Sequence, residues 1–223
     1  MTVNLYFIRH GDPDYEHDSL TELGHRQAEL TSLALKDIPF DLVFFSPIGR
    51  AQVTGRYLTD KIHKEPIVLP FVSEAVAWHA IAMYSEELKR DSWIYQDTSY
   101  LQKLKELQND DNWYNQFPPK FKEGIETINN QIDEWLLTIN IKHDRKNKTY
   151  AAIGDVPKNI IIFAHEGAGT RFICSILDMN YAYFLSNYPR LDCCSINQFE
   201  INCDGKTPIK IIKYNDSKHL KTE

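Results

Sequence analysis

Apolar residues in this chain gather first into short runs and then into stretches spaced three and four apart. Residues 3–8 (VNLYFI), 41–45 (DLVFF) and 159–164 (NIIIFA) are almost uninterrupted and rich in β-branched and aromatic side chains. That is the pattern of strands buried on both faces. Each run is followed by a polar or glycine-bearing turn and then by a helical pattern. Thr21 stands where it can cap a helix over 22–36 with Leu23, Leu30 and Ala34 along one face, and further helices are predicted over 50–62 and 168–177. Strand and helix alternating in this way predict an α/β fold: a three-layer sandwich with a mostly parallel central sheet and helices on both faces. Near the end, 195–201 and 208–214 read as strands around the turn-forming pair Asp204-Gly205, a C-terminal antiparallel hairpin.

Between 75 and 124 the pattern changes to charged, aromatic-rich segments carrying Trp78, Trp93, Tyr95, Trp113 and Phe117. This predicts a helical insertion over the sheet. Holding a small subdomain together is the plainer role for these aromatics; direct substrate contact is the alternative. Beyond Pro118-Pro119, residues 121–141 form an amphipathic helix with Ile125, Ile128, Ile132, Trp135 and Ile139 facing the core. The connection 143–157, with the basic cluster over 142–148, is expected to be a solvated loop without a ligand. Residues 1–223 are read as one domain with the insertion as its cap.

Composition narrows the function classes. The net charge of -6 argues against a nucleic-acid or anionic-membrane partner, and 43% hydrophobic residues over 223 positions leave room for a substantial core. No stretch approaches the roughly 18 to 20 apolar residues of a membrane span, and the N-terminus lacks a basic segment followed by an apolar core. A cytoplasmic protein, monomer or homodimer, is expected. Cys174, Cys193, Cys194 and Cys203 show no CxxC spacing, so free thiols are expected instead of a disulfide framework or a zinc site.

The ends of the apolar runs carry the chemistry. Arg9-His10-Gly11 follows the first, Ser46-Pro47-Ile48-Gly49-Arg50-Ala51 the second, His165-Glu166-Gly167 the third, and Glu74 lies in Val72-Ser73-Glu74-Ala75. In a parallel sheet these ends share one edge, where ligands bind. Arg9, Arg50, His10 and His165 are thus predicted in one pocket. With no carboxylate among them they repel one another, so an anion, and a phosphoryl group above all, is the expected occupant.

This set resembles the histidine phosphatase superfamily, also called phosphoglycerate mutase-like, nearly end to end. The match includes Leu20-Thr21-Glu22-Leu23-Gly24-His25-Arg26-Gln27-Ala28, the run from Ser46 to Thr54, Ala164-His165-Glu166-Gly167, and the tail Tyr214-Asn215-Asp216-Ser217-Lys218-His219-Leu220. The resemblance implies a histidine acid phosphatase-like phosphoric monoester hydrolase that acts on a small organic phosphomonoester and needs no metal or cofactor. His10 would attack phosphorus and form a phosphohistidine, kept unprotonated by the cations around it. Arg9, Arg50, His165 and Gly11 would bind the phosphate oxygens. Glu74 would protonate the leaving alcohol and then activate water, with Asp12 and Glu166 as other carboxylates next to motif positions. Relatives differ within the insertion, where specificity is usually decided; Tyr15, Glu166 and His79 are candidate substrate contacts. Glu16 stands where mutases carry an asparagine, and Glu166 where many relatives carry glycine. Both departures favour hydrolysis over the alternative of phosphoglycerate mutase-type transfer. A third reading, an inactive phosphate-binding regulatory module, is disfavoured because Arg9, His10, Arg50 and His165 are all retained. His17, His25, His63, His143 and His219 read as surface or locally hydrogen-bonded residues.

Overall fold

The apolar runs do form the middle of one sheet. The structure, a computed structural model, describes residues 1–221; Thr222 and Glu223, the end of the expected domain, lie outside the described residues. The chain starts with β1 (Thr2–Arg9), a small hairpin of β2 (Pro13–Asp14) and β3 (Ser19–Leu20), α1 (Glu22–Leu35), β4 (Leu42–Phe45), α2 (Gly49–Ile62) and β5 (Ile67–Val68). The inserted region follows, as α3 (Glu74–Ile81), the hairpin β6 (Ala82–Ser85) and β7 (Arg90–Trp93), α4 (Thr98–Leu107) and the long α5 (Pro119–Thr138). Another hairpin, β8 (Ile141–Asp144) with β9 (Thr149–Ala152), leads to β10 (Asn159–Ala164) and α6 (Glu166–Ile176), then α7 (Tyr181–Asn187), β11 (Ile196–Asn202) and β12 (Lys210–Asp216).

The sheet order is β12-β11-β1-β10-β4-β5, with β1, β10, β4 and β5 parallel and β11 antiparallel to both its neighbours. Alternation along β1 sends Val3, Leu5 and Phe7 into one apolar cluster, with Ile160, Ile162, Trp135 and Phe172, while Tyr6 and Ile8 enter another with Val43, Phe45, Ile161 and Leu58. Two cores on opposite faces of one sheet make the three layers. Register then places the chemistry. β1 and β10 pair up to Arg9 opposite Ala164, and the His10 N–H donates to the Ala164 carbonyl at 2.9 Å. β10 and β4 pair up to Phe163 opposite Phe45, and the Ser46 N–H donates to the Phe163 carbonyl at 2.9 Å. His10, His165 and Ser46 therefore leave the sheet along one edge.

Three expectations need correction. The buried face of α1 is Gly24, Ala28, Thr31, Ser32 and Leu35; Leu23 is 55% exposed. Small residues face inward because the loop after β1 presses on this helix, so that a Cβ on Gly24 would lie 2.2 Å from the Asp12 carbonyl oxygen. The insertion is not all helical, since β6 and β7 pair antiparallel from Ala82 opposite Trp93 to Ser85 opposite Arg90. Nor is the basic segment a solvated loop. It forms β8 and β9, and the buried His143 ring bridges Asp133 Oδ1 at 2.9 Å and Asp178 Oδ2 at 2.7 Å. Arg145 adds a two-point contact to Asp133 and one to Asp178, so carboxylates distant in sequence, which no local pattern reveals, draw His143 and Arg145 inward while Lys142, Lys146 and Lys148 stay exposed. The four cysteines are free, and no helix among the described residues is long and apolar enough to cross a membrane.

Candidate active site

His10 is 3% exposed at the end of β1, and its Nδ1 lies 2.7 Å from the Gly11 carbonyl oxygen. A carbonyl can only accept, so Nδ1 carries the proton and Nε2 keeps its lone pair. Arg50 Nε donates to that Nε2 at 3.4 Å. Burial pushes the His10 pKa down to about 4, with Arg9 and Arg50 adding to the effect. Desolvation is thus the main reason the ring stays neutral, ahead of the neighbouring cations expected from sequence.

His165 is fully buried at the start of α6, its ring centroid 5.2 Å from that of His10. Its Nε2 lies 2.7 Å from Ser46 Oγ, and Ser46 Oγ also accepts the Ile48 N–H at 3.3 Å. The hydroxyl can therefore donate to Nε2, an arrangement that puts the His165 proton on Nδ1. Burial pushes the His165 pKa down to about 2, helped by His10, Arg50 and Arg9. Glu74 begins α3 after the cap Ser73, and its Oε1 accepts the Gly167 N–H at 3.1 Å. Burial lifts its pKa to about 7 against the pull of that hydrogen bond and of Arg50. Among the described residues, Glu74 Oε2, His165 Nδ1 and Arg9 Nε are buried with no hydrogen-bond partner. A phosphoryl group has the oxygens to supply all three.

Carboxylates do stand among these cations, contrary to expectation. Arg9 Nη1 lies 3.1 Å from Glu166 Oε2, and Arg50 Nη1 donates to Asp18 Oδ1 at 3.0 Å. Asp18 Oδ2 also accepts the Gly49 N–H at 2.7 Å, because the β2–β3 hairpin folds back over the start of α2. Arg190 closes on Glu166 through Nε and Nη2, and its guanidinium lies 5.1 Å over the Tyr95 ring. Among the described residues no group of three or more His, Cys, Asp or Glu is arranged to hold a metal ion.

A cavity of about 420 Å³ brings together Arg9, His10, Arg50 and Glu74, with Tyr15 and Glu166 in its wall. The Tyr15 ring lies 5.4 Å from Arg50 Cζ. Trp78, Trp93 and Gln96 of the insertion also line it, as does Arg190. His165 stands against His10 without joining the lining. Three residues depart from expectation. The Gly11 N–H, expected to hold phosphate, donates to Thr54 Oγ1 at 3.0 Å; a Cβ there would meet the Gly24 carbonyl oxygen at 2.6 Å, so this glycine serves close packing. His79 is exposed on α3 outside the cavity lining, because its neighbour Trp78 takes the inward position. Glu16 is likewise exposed and off the lining, so its charge does not face this cavity. Asp18 and Arg190 were not legible in the sequence: Asp18 meets Arg50 across β3, α1 and β4, and Arg190 meets Glu166 across α6 and α7. Ser46 stood inside a motif, but its partner was not legible. A second cavity, of about 470 Å³, opens beside Arg171 and Tyr181 and contains neither histidine of this pair.

The family model described as histidine phosphatase superfamily (branch 1) matches residues 5–216. Among solved structures, a phosphoserine phosphatase from Entamoeba histolytica in complex with 3-phosphoglyceric acid is similar at 19% identity and a TM-score of 0.63, covering 98% of this chain and 100% of its own. A mycobacterial glucosyl-3-phosphoglycerate phosphatase is similar at 14% identity and a TM-score of 0.61, covering 97% and 100%. The alpha-ribazole phosphatase from Shigella flexneri is similar at 19% identity and a TM-score of 0.56, covering 96% and 98%. No curated protein sequence matches the chain.

Proposed function

Because the chain belongs to the histidine phosphatase superfamily, branch 1, we propose that it hydrolyses a small organic phosphomonoester through a phosphohistidine on His10 Nε2. The observation that carries this reading is the pinned tautomer of His10, with Nδ1–H held by Gly11 and an unprotonated Nε2 that meets the Arg50 Nε–H at 3.4 Å beside the cavity. In the first step that lone pair attacks phosphorus and the ester P–O bond breaks. The departing oxygen takes the proton of Glu74, whose raised pKa keeps it protonated up to about neutrality. In the second step the Glu74 carboxylate removes a proton from water; the water oxygen attacks phosphorus, the N–P bond breaks and inorganic phosphate leaves. Arg9, Arg50 and the His165 Nδ1–H would hold the non-bridging oxygens as charge builds on them. A nucleophile with a pKa near 4 and an acid with one near 7 would set the working range on the acid side, which supports the acid phosphatase-like reading.

Phosphate release from a panel of sugar phosphates, nucleotides, phosphoamino acids and alkyl phosphates, by wild type and His10→Ala, tests the reading. Wild type should release phosphate from at least one class and His10→Ala from none. Activity that survives His10→Ala overturns the mechanism. Phosphate binding without release from any ester would favour an inactive phosphate-binding module.

A further inference from the structure

Next to the cavity that holds His10 lies a smaller slot of about 220 Å³. Tyr95 and Leu101 of the insertion form one side, and Phe184, Leu185, Tyr188 and Pro189 the other. The two spaces share Glu166 and Arg190, so the slot opens one ion pair away from the phosphate clamp. That ion pair is electrically spent: Glu166 is held by Arg190 on one side and by Arg9, at 3.1 Å, on the other. The Thr170 hydroxyl, also on the wall, donates to the Glu166 carbonyl at 2.9 Å. Among the described residues the Tyr95 hydroxyl is left without a partner. A sugar or hydroxy acid placed here would strand most of its polar groups. An apolar cavity of about 150 Å³ is enough to take benzene, so this one accommodates a group slightly larger than a single ring. Arg190, with a 58% exposed side chain, lies at the boundary where such a group would pass.

We propose that the slot receives the organic part of the substrate, which makes the substrate class the monophosphate ester of an apolar alcohol or phenol, with an alkyl or aryl group about the size of one aromatic ring. The proposal rests on the phosphatase reading above and names the leaving group of that same site.

Straight-chain alkyl phosphates from ethyl to octyl test it with leaving groups of nearly equal chemistry. Wild-type kcat/KM should rise about fourfold for each methylene that enters the slot, the equivalent of about 0.8 kcal/mol, and level off once the slot is full. Leu101→Glu and Leu185→Glu, which put a charge on either wall at partly buried positions, should flatten the rise of kcat/KM with chain length. The same chains as phosphonates, titrated calorimetrically into His10→Ala, should show a parallel rise in affinity. Hydrolysis of ethyl phosphate with no dependence on chain length overturns the slot, as does a steep dependence that survives both leucine variants. If wild type hydrolyses no ester, the phosphatase reading falls while the phosphonate series still decides the slot, a flat series overturning it.

Discussion

His165 Nδ1 lies 3.8 Å from Glu74 Oε2, and neither atom has a hydrogen-bond partner among the described residues. At that separation the two do not bond to each other. A phosphoryl group facing both could accept from His165 at a non-bridging oxygen and from a protonated Glu74 at the ester oxygen. Both groups are held away from that contact by their other atoms: Ser46 fixes His165 Nε2, and the Gly167 N–H fixes Glu74 Oε1.

The first prediction concerns pH. Under the proposed mechanism His10 acts unprotonated, so kcat/KM should climb as pH rises through about 4, and Glu74 acts protonated, so it should fall as pH rises through about 7. A pH profile on one ester gives both limbs. Glu74→Gln should lose the upper limb and about 10²-fold or more in kcat/KM. A limb that persists unchanged in that variant belongs to the substrate, whose own second ionisation lies near 6.

Ser46→Ala removes the donor that fixes the His165 tautomer. The expected result is a fall of about tenfold or more in kcat/KM together with a loss of about 1–3 kcal/mol in stability from the buried partners left unpaired, and partial recovery of both in Ser46→Thr. Wild-type kinetics in Ser46→Ala would show that the His165 proton is positioned some other way.

Gly24→Ala should destabilise the fold by about 1–3 kcal/mol, because the added methyl would lie 2.2 Å from the Asp12 carbonyl oxygen and 2.9 Å from the Asp12 nitrogen, both backbone atoms. Urea unfolding reads this as a lower midpoint at constant slope. Activity should fall as well, since the shifted segment leads straight from Arg9-His10-Gly11.

Burial alone would depress the His143 pKa, but hydrogen bonds to Asp133 and Asp178 outweigh it and raise the value on balance. A histidine raised in the folded state stabilises fully below its unfolded pKa of about 6.5, and that contribution is lost as pH rises through the folded value. The stability difference between wild type and His143→Asn should therefore shrink as pH climbs from about 6 towards 8. A difference that is constant or grows with pH would contradict a charged His143.

What the chain discloses about itself divides along physical lines. β1, β4 and β10 were legible because a strand buried on both faces needs a continuous apolar run, and parallel pairing then aligns Arg9, Ser46 and His165 whatever else the chain does. The faces of α1 were not, because close approach to the Asp12 backbone demands small residues where an amphipathic reading looks for Leu23. Charge partners were the least legible. His143, Arg145, Arg190 and Asp18 all meet groups brought to them by tertiary packing, and nothing in their neighbours in sequence announces it. The same holds for Gly11, whose N–H is spent on Thr54 rather than left open to a ligand.

The proposed reaction turns on a covalent bond between phosphorus and His10 Nε2. Mixing enzyme with substrate, quenching in base within the first turnover and mapping peptides by mass spectrometry tests it most directly. One phosphoryl group is expected on the peptide that carries His10, absent in His10→Ala and labile to acid. Turnover without any phosphoryl group on that peptide, or with the label on another residue, would contradict it.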